Sequence, residues 1–242
     1  MSKIIPLECP ICNLSTNYVY IIDDGKEKSE WYRCDCGVIF QKDEPAHDEY
    51  TEKYVAGYAG YNNAKLINIH AARTYVNMIE ELTMGRKLLD VGFNLPYNMN
   101  YYIDRGWIAK GIDMNPTLGE STNIINGNFE TTEFKEDFSL IWMSHVFEHF
   151  TDPIKVLRKC HDMLQEDGML YISTPDIHFI SKTGVSRFPH WKKREHKIMW
   201  TMDSLARELK RIGFNIIMKR QNFVSRYTGW YDCHIIAQKK YF

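Results

Sequence analysis

The sequence lacks a long apolar run. None of its 242 residues belongs to a stretch approaching the roughly 20 apolar residues of a membrane helix, and no signal-peptide hydrophobic region opens the chain. An excess of one charge is also missing, because 30 Lys and Arg balance 31 Asp and Glu. Bulk charge therefore gives no reason to expect a nucleic-acid partner. We expect a cytoplasmic chain without a membrane partner.

The chain has few cysteines, and their placement is uneven. Four of the six lie in the first 36 residues, as Cys9-Pro-Ile-Cys12 and Cys34-Asp-Cys36. In a reducing compartment such a thiol cluster favours metal over disulfides, and four thiolates suit tetrahedral zinc. The second pair has one spacer residue where two are usual. The alternative is four incidental buried thiols. Cys160 and Cys233 stand in apolar surroundings and are predicted core residues.

A ribbon of this size cannot fold without its metal, so the predicted zinc is structural, with no open coordination position. We expect the ribbon, residues 1–42, to dock on a larger domain. Without metal it should unfold and leave that domain folded. Residues 43–86 form a linking segment in which tyrosines 50, 54, 58 and 61 either pack on the main domain or cover a ligand cleft. The segment ends in an amphipathic helix that stops near Gly85.

From residue 87 onward, strand and helix patterns alternate. Apolar strands are predicted at 88–92, 108–112, 123–125, 138–143 and 169–172, with helices between them, one of which starts at Asp152-Pro153 and closes at Gly168. A further helix at 201–213 precedes two antiparallel strands near 214–218 and 234–237. Alternation of this kind predicts a parallel sheet, whose ligands bind beyond the carboxyl ends of the strands. Asp90, Gly92, Asp113 and the residues after Met143 should then share one cleft.

These motifs resemble a known family. The strings LLDVGFNLPYN (88–98), GIDMNP and DFSLIWMSHVFEHFTDP are similar to class I S-adenosylmethionine-dependent methyltransferases, above all the subgroup with an N-terminal zinc ribbon. The resemblance implies an α/β fold: a Rossmann-like seven-stranded sheet with helices on both faces, in residues 87–242, plus the ribbon. It also implies S-adenosylmethionine as cofactor and a small-molecule acceptor, with a sugar or sugar nucleotide as the leading class.

The resemblance assigns the cofactor site residue by residue. Asp90 and Gly92 would hold the methionine part, Asp113 the ribose hydroxyls, and Asn128 with Phe129 the adenine. The implied cofactor-binding residues are Asp90, Gly92, Asn94, Asp113, Met114, Asn128, Phe129, Met143, Ser144 and His145.

One segment departs from the family pattern. The usual Gly-x-Gly-x-Gly loop reads Gly92, Asn94 and Pro96 here. Asn tolerates left-handed backbone angles, so Asn94 can replace a glycine, whereas Pro96 fixes its own backbone and removes an N–H. The loop either binds the cofactor in a modified pose or has lost it. In the second case the chain is a methyltransferase-like binding or scaffold protein.

The acceptor side is predicted in the irregular residues 176–200. Glu195 and His196 resemble the Glu-His pair of zinc-ribbon sugar C-methyltransferases, with His196 as the base, Glu195 orienting it, and His145 as a second candidate base. Arg187, Lys192, Lys193 and Arg194 could hold a phosphorylated or nucleotide-linked acceptor. The alternative is a solvated basic loop.

A rival motif is His145-x-x-Glu148-His149, which spells the inverted zinc-peptidase signature. That motif needs a continuous helix with both histidines on one face. Here it follows directly from an apolar strand, and the next helix begins only at Asp152. This context favours a position for His145 at the mouth of the cleft over a zinc peptidase.

Overall fold

The computed structural model describes residues 6–16, 18–23, 28–41, 64–114, 123–180, 184–185, 188, 190–192, 195–223 and 231–240. The N-terminal strands are β1 (Leu7–Glu8), β2 (Ser15–Thr16), β3 (Val19–Asp23), β4 (Lys28–Cys34) and β5 (Val38–Gln41). After α1 (Ala64–Leu82) the elements are β6 (Lys87–Val91), α2 (Tyr97–Ile103), β7 (Ile108–Asp113), β8 (Ile124–Asn126), β9 (Phe138–Ser144), α3 (Pro153–Met163), β10 (Leu164–Pro175), β11 (Ile198–Trp200), α4 (Met202–Ile212), β12 (Phe214–Phe223) and β13 (Tyr231–Lys239). The tyrosines of the linking segment lie outside the described residues.

The main sheet of the described chain has seven strands in the order β12-β13-β10-β9-β6-β7-β8. β8, β7, β6, β9 and β10 run parallel, and β13 and β12 complete the sheet antiparallel. The seven-stranded α/β fold predicted from the sequence is confirmed. Chain order reverses between β6 and β9, and in open parallel sheets this switch point opens a crevice at the carboxyl ends of the strands.

Both faces of the sheet are buried, which is why its central strands are continuously apolar. Ile141 packs in a core with α3, α4 and the N-terminal strands, while its neighbour Trp142 packs in a second core with α1 and α2. The Trp142 ring stacks on Tyr171 of the adjacent strand, with centroids 3.6 Å apart. Cys160 and Cys233 are fully buried in the first core, as predicted.

Local signals set the helix ends. Asp152 caps α3 by accepting a hydrogen bond from the Lys155 amide at 2.9 Å, with Pro153 in the first turn. The predicted extension of this helix to Gly168 is wrong. α3 ends at Met163, because the backbone of Leu164 is extended and pairs with Phe138 of β9. None of the described helices is long and apolar enough to span a membrane.

The N-terminal strands do not form a separate body. β3, β4 and β5 make a sheet with β11, in the order β11-β5-β4-β3, so a strand from residues 176–200 is paired to the ribbon. The Gly37 carbonyl, in the turn after β4, also accepts hydrogen bonds from the Thr201 amide and the Ser204 hydroxyl at the start of α4. The ribbon therefore docks on the larger domain as expected, and it does so through shared backbone pairing.

Candidate functional site

The residues that follow the parallel strands meet at the switch-point crevice. Gly92 follows β6, Asp113 ends β7, and His145 follows β9. The register places Val91 beside both Ile112 and Met143, so the ends of these three strands are level. The strand ends that the sequence predicts to share one cleft are therefore adjacent in the sheet.

The altered loop keeps a left-handed backbone at two positions. Gly92 has φ +66° and Asn94 has φ +51°, so Asn94 takes the conformation that a second glycine would supply. A Cβ on Gly92 would lie 2.6 Å from Val146 Cγ2. Pro96 stands at the N-terminal boundary of α2, where a missing N–H leaves no helical bond unmade. The proline is accommodated without breaking the helix.

Asp113, at the end of β7, is hydrogen-bonded to the loop that follows β6. Its Oδ2 accepts a hydrogen bond from the Asn94 amide at 3.0 Å, and the Gly92 amide donates to the Ile112 carbonyl at 2.8 Å. A carboxylate at the end of this strand is a two-oxygen acceptor suited to a diol. Met114, the next residue, is 39% exposed.

Asp90 is buried behind the loop, 3% exposed, and accepts a hydrogen bond from Asn98 Nδ2 at 2.9 Å. Burial raises the pKa of Asp90 to about 7, the charge of Asp113 adds to the rise, and the Asn98 bond opposes it. An adjacent cation would lower that pKa again, so this carboxylate can respond to a bound ammonium group.

Asn128 and Phe129, the predicted adenine contacts, lie in different environments. The Asn128 side chain accepts from the Glu130 amide at 2.8 Å and shapes the turn after β8. The Phe129 ring lies in the core, 3% exposed, between Phe134 and Phe150. Met143 is likewise a core residue, whereas the Ser144 hydroxyl reaches Ser173 Oγ at 3.1 Å. The side chains of Asn128 and Ser144 are thus partly exposed, whereas those of Phe129 and Met143 are buried.

His145 stands at the mouth of the crevice with a left-handed backbone, φ +52°, and a side chain 39% exposed. Its Nε2 lies 3.1 Å from Asp232 Oδ2 and its Nδ1 lies 3.6 Å from Glu148 Oε1. Partial removal from water opposes the charge, but the two carboxylates outweigh it and raise the pKa of His145 well above its usual value. The two carboxylates thus favour the protonated ring, and a raised pKa makes His145 a poor base.

His196, the predicted base, is buried. Its Nδ1 donates to the His190 carbonyl at 3.0 Å, and its Nε2 lies 3.9 Å from Glu148 Oε1. Burial, reinforced by the nearby His149, lowers the pKa of His196 well below its usual value. The Glu195 carboxylate, expected to orient this ring, pairs with Lys192 Nζ at 2.9 Å instead, because the turn directs it along its own loop. Arg187, Lys193 and Arg194 lie outside the described residues.

Two acidic residues contact the histidines of this site, and the sequence did not predict either contact. Glu148, 1% exposed, lies between His145 and His196, and its pKa is lowered: burial opposes ionisation, but His145, His149 and His196 outweigh it. Asp232 reaches His145 from β13, 87 positions away in sequence. The sequence signal for Asp232 was an acidic residue within the largely apolar strand segment YDCHIIAQ. The His-x-x-Glu-His string itself forms a single 3-10 turn, Phe147–His149, after β9, so the continuous helix of a peptidase is absent from these described residues.

The four N-terminal thiols converge. All four Sγ atoms lie within 4.8 Å of one another, with Cys9 to Cys36 at 3.7 Å and Cys12 to Cys34 at 3.4 Å. Tetrahedral zinc with bonds near 2.3 Å separates its sulfur ligands by about 3.8 Å. The hydrogen bond from Cys36 lowers the pKa of the Cys9 thiol to about 5, whereas burial raises the pKa of the Cys34 thiol, so a cation is needed to hold all four as thiolates. Gly37, φ +92°, closes the second knuckle despite its single spacer residue.

Comparison with known proteins agrees with this architecture. A family model described as a methyltransferase domain matches residues 63–219. The ubiquinone biosynthesis O-methyltransferase of Glaesserella parasuis serovar 5 is 29% identical over 117 residues, 41% of this chain and 50% of that protein. That of Pseudomonas syringae pv. tomato is 29% identical over 114 residues, 41% and 49% of the two chains. The chain spans about half the length of the curated relatives it matches.

Solved structures share the fold at low identity. The Burkholderia thailandensis 1,6-didemethyltoxoflavin-N1-methyltransferase, bound to 1,6-didemethyltoxoflavin and S-adenosylhomocysteine, superposes with a TM-score of 0.58 at 13% identity, covering 92% of this chain and 99% of that one. The [4+2]-cyclase SpnF gives 0.52 at 14% identity, covering 72% and 82%. Such likeness concerns the fold, and the cyclase shows that the fold alone does not fix the reaction.

The family model covers well over half of the chain, and its span includes the loop after β6, the acid that ends β7 and the turn after β9. The chain therefore belongs to the methyltransferase-domain family, with the fold of class I S-adenosylmethionine-dependent methyltransferases.

Proposed function

We propose that this protein binds S-adenosylmethionine and transfers its methyl group to a small-molecule acceptor. One observation carries the proposal: Asp113 Oδ2 holds the Asn94 amide at 3.0 Å beside the left-handed Gly92 turn, at the switch point of the sheet. The loop that departs from the family pattern thus keeps the backbone course and the acidic partner of a nucleoside-binding turn.

The cofactor would lie across the carboxyl ends of β6, β7 and β8. Asp113 would accept the ribose hydroxyls, and Asp90 with the Gly92 turn would hold the methionine part. Met114, which is partly exposed, and Asn128 would flank the adenine. Because the side chains of Phe129 and Met143 are buried, those two residues would support the pocket from below.

The acceptor would enter from the side of His145. This ring is partly exposed, whereas His196 is buried, and this difference supports assigning contact with the acceptor to His145. A cation held by Asp232 and Glu148 suits an acceptor that carries or develops negative charge. Sugar nucleotides, which bring phosphates, are the first class to screen, and acceptors of ubiquinone-biosynthesis O-methylation, the activity named for the curated relatives, are a second.

The four thiols would hold a structural zinc ion. Cys9, Cys12, Cys34 and Cys36 fill its coordination, so the ion would fix the two knuckles and leave no position for a substrate. Its contribution would be the fold of β4 and β5, onto which β11 is paired.

The test is a calorimetric titration of S-adenosylhomocysteine into the wild type, Asp113→Ala and Asp162→Ala. Asp162 is a matched control: its side chain is 83% exposed near the C-terminal end of α3, away from the strand ends that form the crevice. We expect Asp113→Ala to weaken binding at least tenfold, since two charge-assisted hydrogen bonds are lost, at about 1.4 kcal/mol per tenfold. Asp162→Ala should bind like the wild type. Equal affinity in all three proteins would refute the ribose assignment.

A further inference from the structure

A second cluster of ligating side chains lies apart from the thiols. One carboxylate oxygen of Glu148 and one ring nitrogen each of His149 and His196 lie within 4.8 Å of one another. Glu148 and His149 come from the turn after β9, and His196 comes from the turn before β11. The two histidine rings meet edge to face, with centroids 4.9 Å apart.

The Glu148 carboxylate is only half satisfied. Oε2 accepts a hydrogen bond from Thr174 Oγ1 at 2.8 Å, while Oε1 accepts none from the described residues although it is buried. Its nearest cationic or ring neighbours are His145 Nδ1 at 3.6 Å and His196 Nε2 at 3.9 Å, beyond hydrogen-bond reach. A buried carboxylate oxygen without a donor is the kind of atom that a cation satisfies.

One ring nitrogen of each histidine is held by a backbone carbonyl. His149 Nδ1 lies 2.8 Å from the Glu195 carbonyl, and His196 Nδ1 lies 3.0 Å from the His190 carbonyl. A carbonyl oxygen only accepts, so Nδ1 carries the proton in each ring and the lone pair is on Nε2. Fixing one imidazole nitrogen by a backbone carbonyl while the other ligates is the usual outer-shell arrangement of metal-binding histidines.

We propose that Glu148 Oε1, His149 Nε2 and His196 Nε2 bind a divalent first-row transition metal, such as Mn²⁺ or Fe²⁺. Two histidines and one carboxylate form a three-ligand set that leaves coordination positions open. In six-coordinate geometry, metal bonds near 2.1 Å bring neighbouring ligand atoms to about 3.0 Å, so binding would shorten the distance between Glu148 Oε1 and His196 Nε2 by about 0.9 Å. His149, which is less buried than its two partners, gives the ion its path from solvent.

This site is chemically distinct from the ribbon and does not depend on cofactor binding. Oxygen and imidazole ligands suit Mn²⁺, whereas four thiolates retain zinc. Its failure and a failure of the proposed methyl transfer can therefore be told apart. The competing explanation is that Glu148 Oε1 serves only as a counter-ion to His145, in which case no metal binds.

The experiment is a Mn²⁺ titration of full-length protein with its zinc retained, followed by the loss of the free-ion electron paramagnetic resonance signal. We expect one Mn²⁺ per chain in the wild type. Glu148→Gln and His196→Asn should weaken binding at least tenfold while the zinc content stays unchanged. Glu195→Gln is the matched control, since this neighbouring carboxylate is paired with Lys192. It should bind Mn²⁺ like the wild type.

His149→Asn keeps the test decisive if either buried variant fails to fold, because this position is less buried. It too should weaken Mn²⁺ binding at least tenfold. A wild-type protein that leaves the free Mn²⁺ signal intact at millimolar metal would overturn the proposal. So would equal Mn²⁺ affinity in the wild type and in every folded variant of Glu148, His149 and His196.

Discussion

Asp90 is the residue whose protonation should be visible in the stability of the whole chain. Its folded pKa of about 7 exceeds the unfolded carboxyl value near 3.9, so between these values the folded chain holds a proton that the unfolded chain has released. The resulting stabilisation is full below about pH 4 and is lost as the pH rises to about 7.

Asp90→Asn should remove this pH dependence while keeping an oxygen for the Asn98 amide. Urea unfolding at pH 5 and pH 8 measures the effect. Relative to the variant, the wild type should lose about 3 kcal/mol over this interval, from about two pKa units at 1.36 kcal/mol each. Groups common to both proteins cancel in the comparison. Parallel stability curves would show that Asp90 titrates normally.

Residues that sit where a strand ends could be found from the sequence, because the strand pattern itself locates them. Asp113 and Gly92 are of this kind. Glu148 was noted only within a short motif, and Asp232 was not noted, because their roles come from contacts with residues far away in the chain. Burial is also not readable from the sequence at this scale: His196, the base inferred from resemblance, is enclosed.

At the scale of elements, the turn after β6 leaves the least room for a side chain. Gly92→Ala adds a Cβ 2.6 Å from Val146 Cγ2 at φ +66°, whereas Gly106→Ala adds one in open space at φ +84°. Both variants carry left-handed strain of about 1–2 kcal/mol, but only the first carries a steric clash, worth about 1–3 kcal/mol more. Denaturant midpoints measure the difference. Val146→Ala in the Gly92→Ala background should recover part of the loss, and equal effects at both glycines would contradict the close contact.

The central strands and the helix caps were predictable because their signals are local: apolar runs, Asp152-Pro153, and Gly213 after α4. β11 was not. Three apolar residues in an irregular stretch become a strand only because β5 of the ribbon offers them a backbone partner. The early end of α3 has the same cause, since pairing with β9 draws Leu164 out of the helix.

At the scale of the whole molecule, the ribbon and the histidine turn should be coupled. The Gln41 amide donates to the Lys197 carbonyl at 3.1 Å, and its side-chain Nε2 donates to the carbonyls of Lys192 and His196. Loss of the proposed zinc ion should therefore loosen β11 together with β5, which the sequence alone, by predicting independent domains, does not anticipate.

Hydrogen exchange after chelation tests this coupling. Amides of Val38–Gln41 and Ile198–Trp200 should lose protection together, while those of Lys87–Val91 and Phe138–Ser144 stay protected by the main sheet. The zinc-loaded protein is the reference. Protection retained at Ile198–Trp200 after the ribbon has opened would show that β11 does not depend on it.

The central claim is that the altered loop still holds S-adenosylmethionine, and thermal melting tests it most directly. Ligand at a hundredfold excess over its dissociation constant adds about 2.7 kcal/mol to the stability of the folded chain. For a chain of this size the melting temperature should rise by about 5–10 °C with S-adenosylmethionine or S-adenosylhomocysteine, and not with adenosine diphosphate at the same concentration. An unchanged melting temperature at millimolar cofactor would contradict the account and would leave a methyltransferase fold that serves as a binding or scaffold protein.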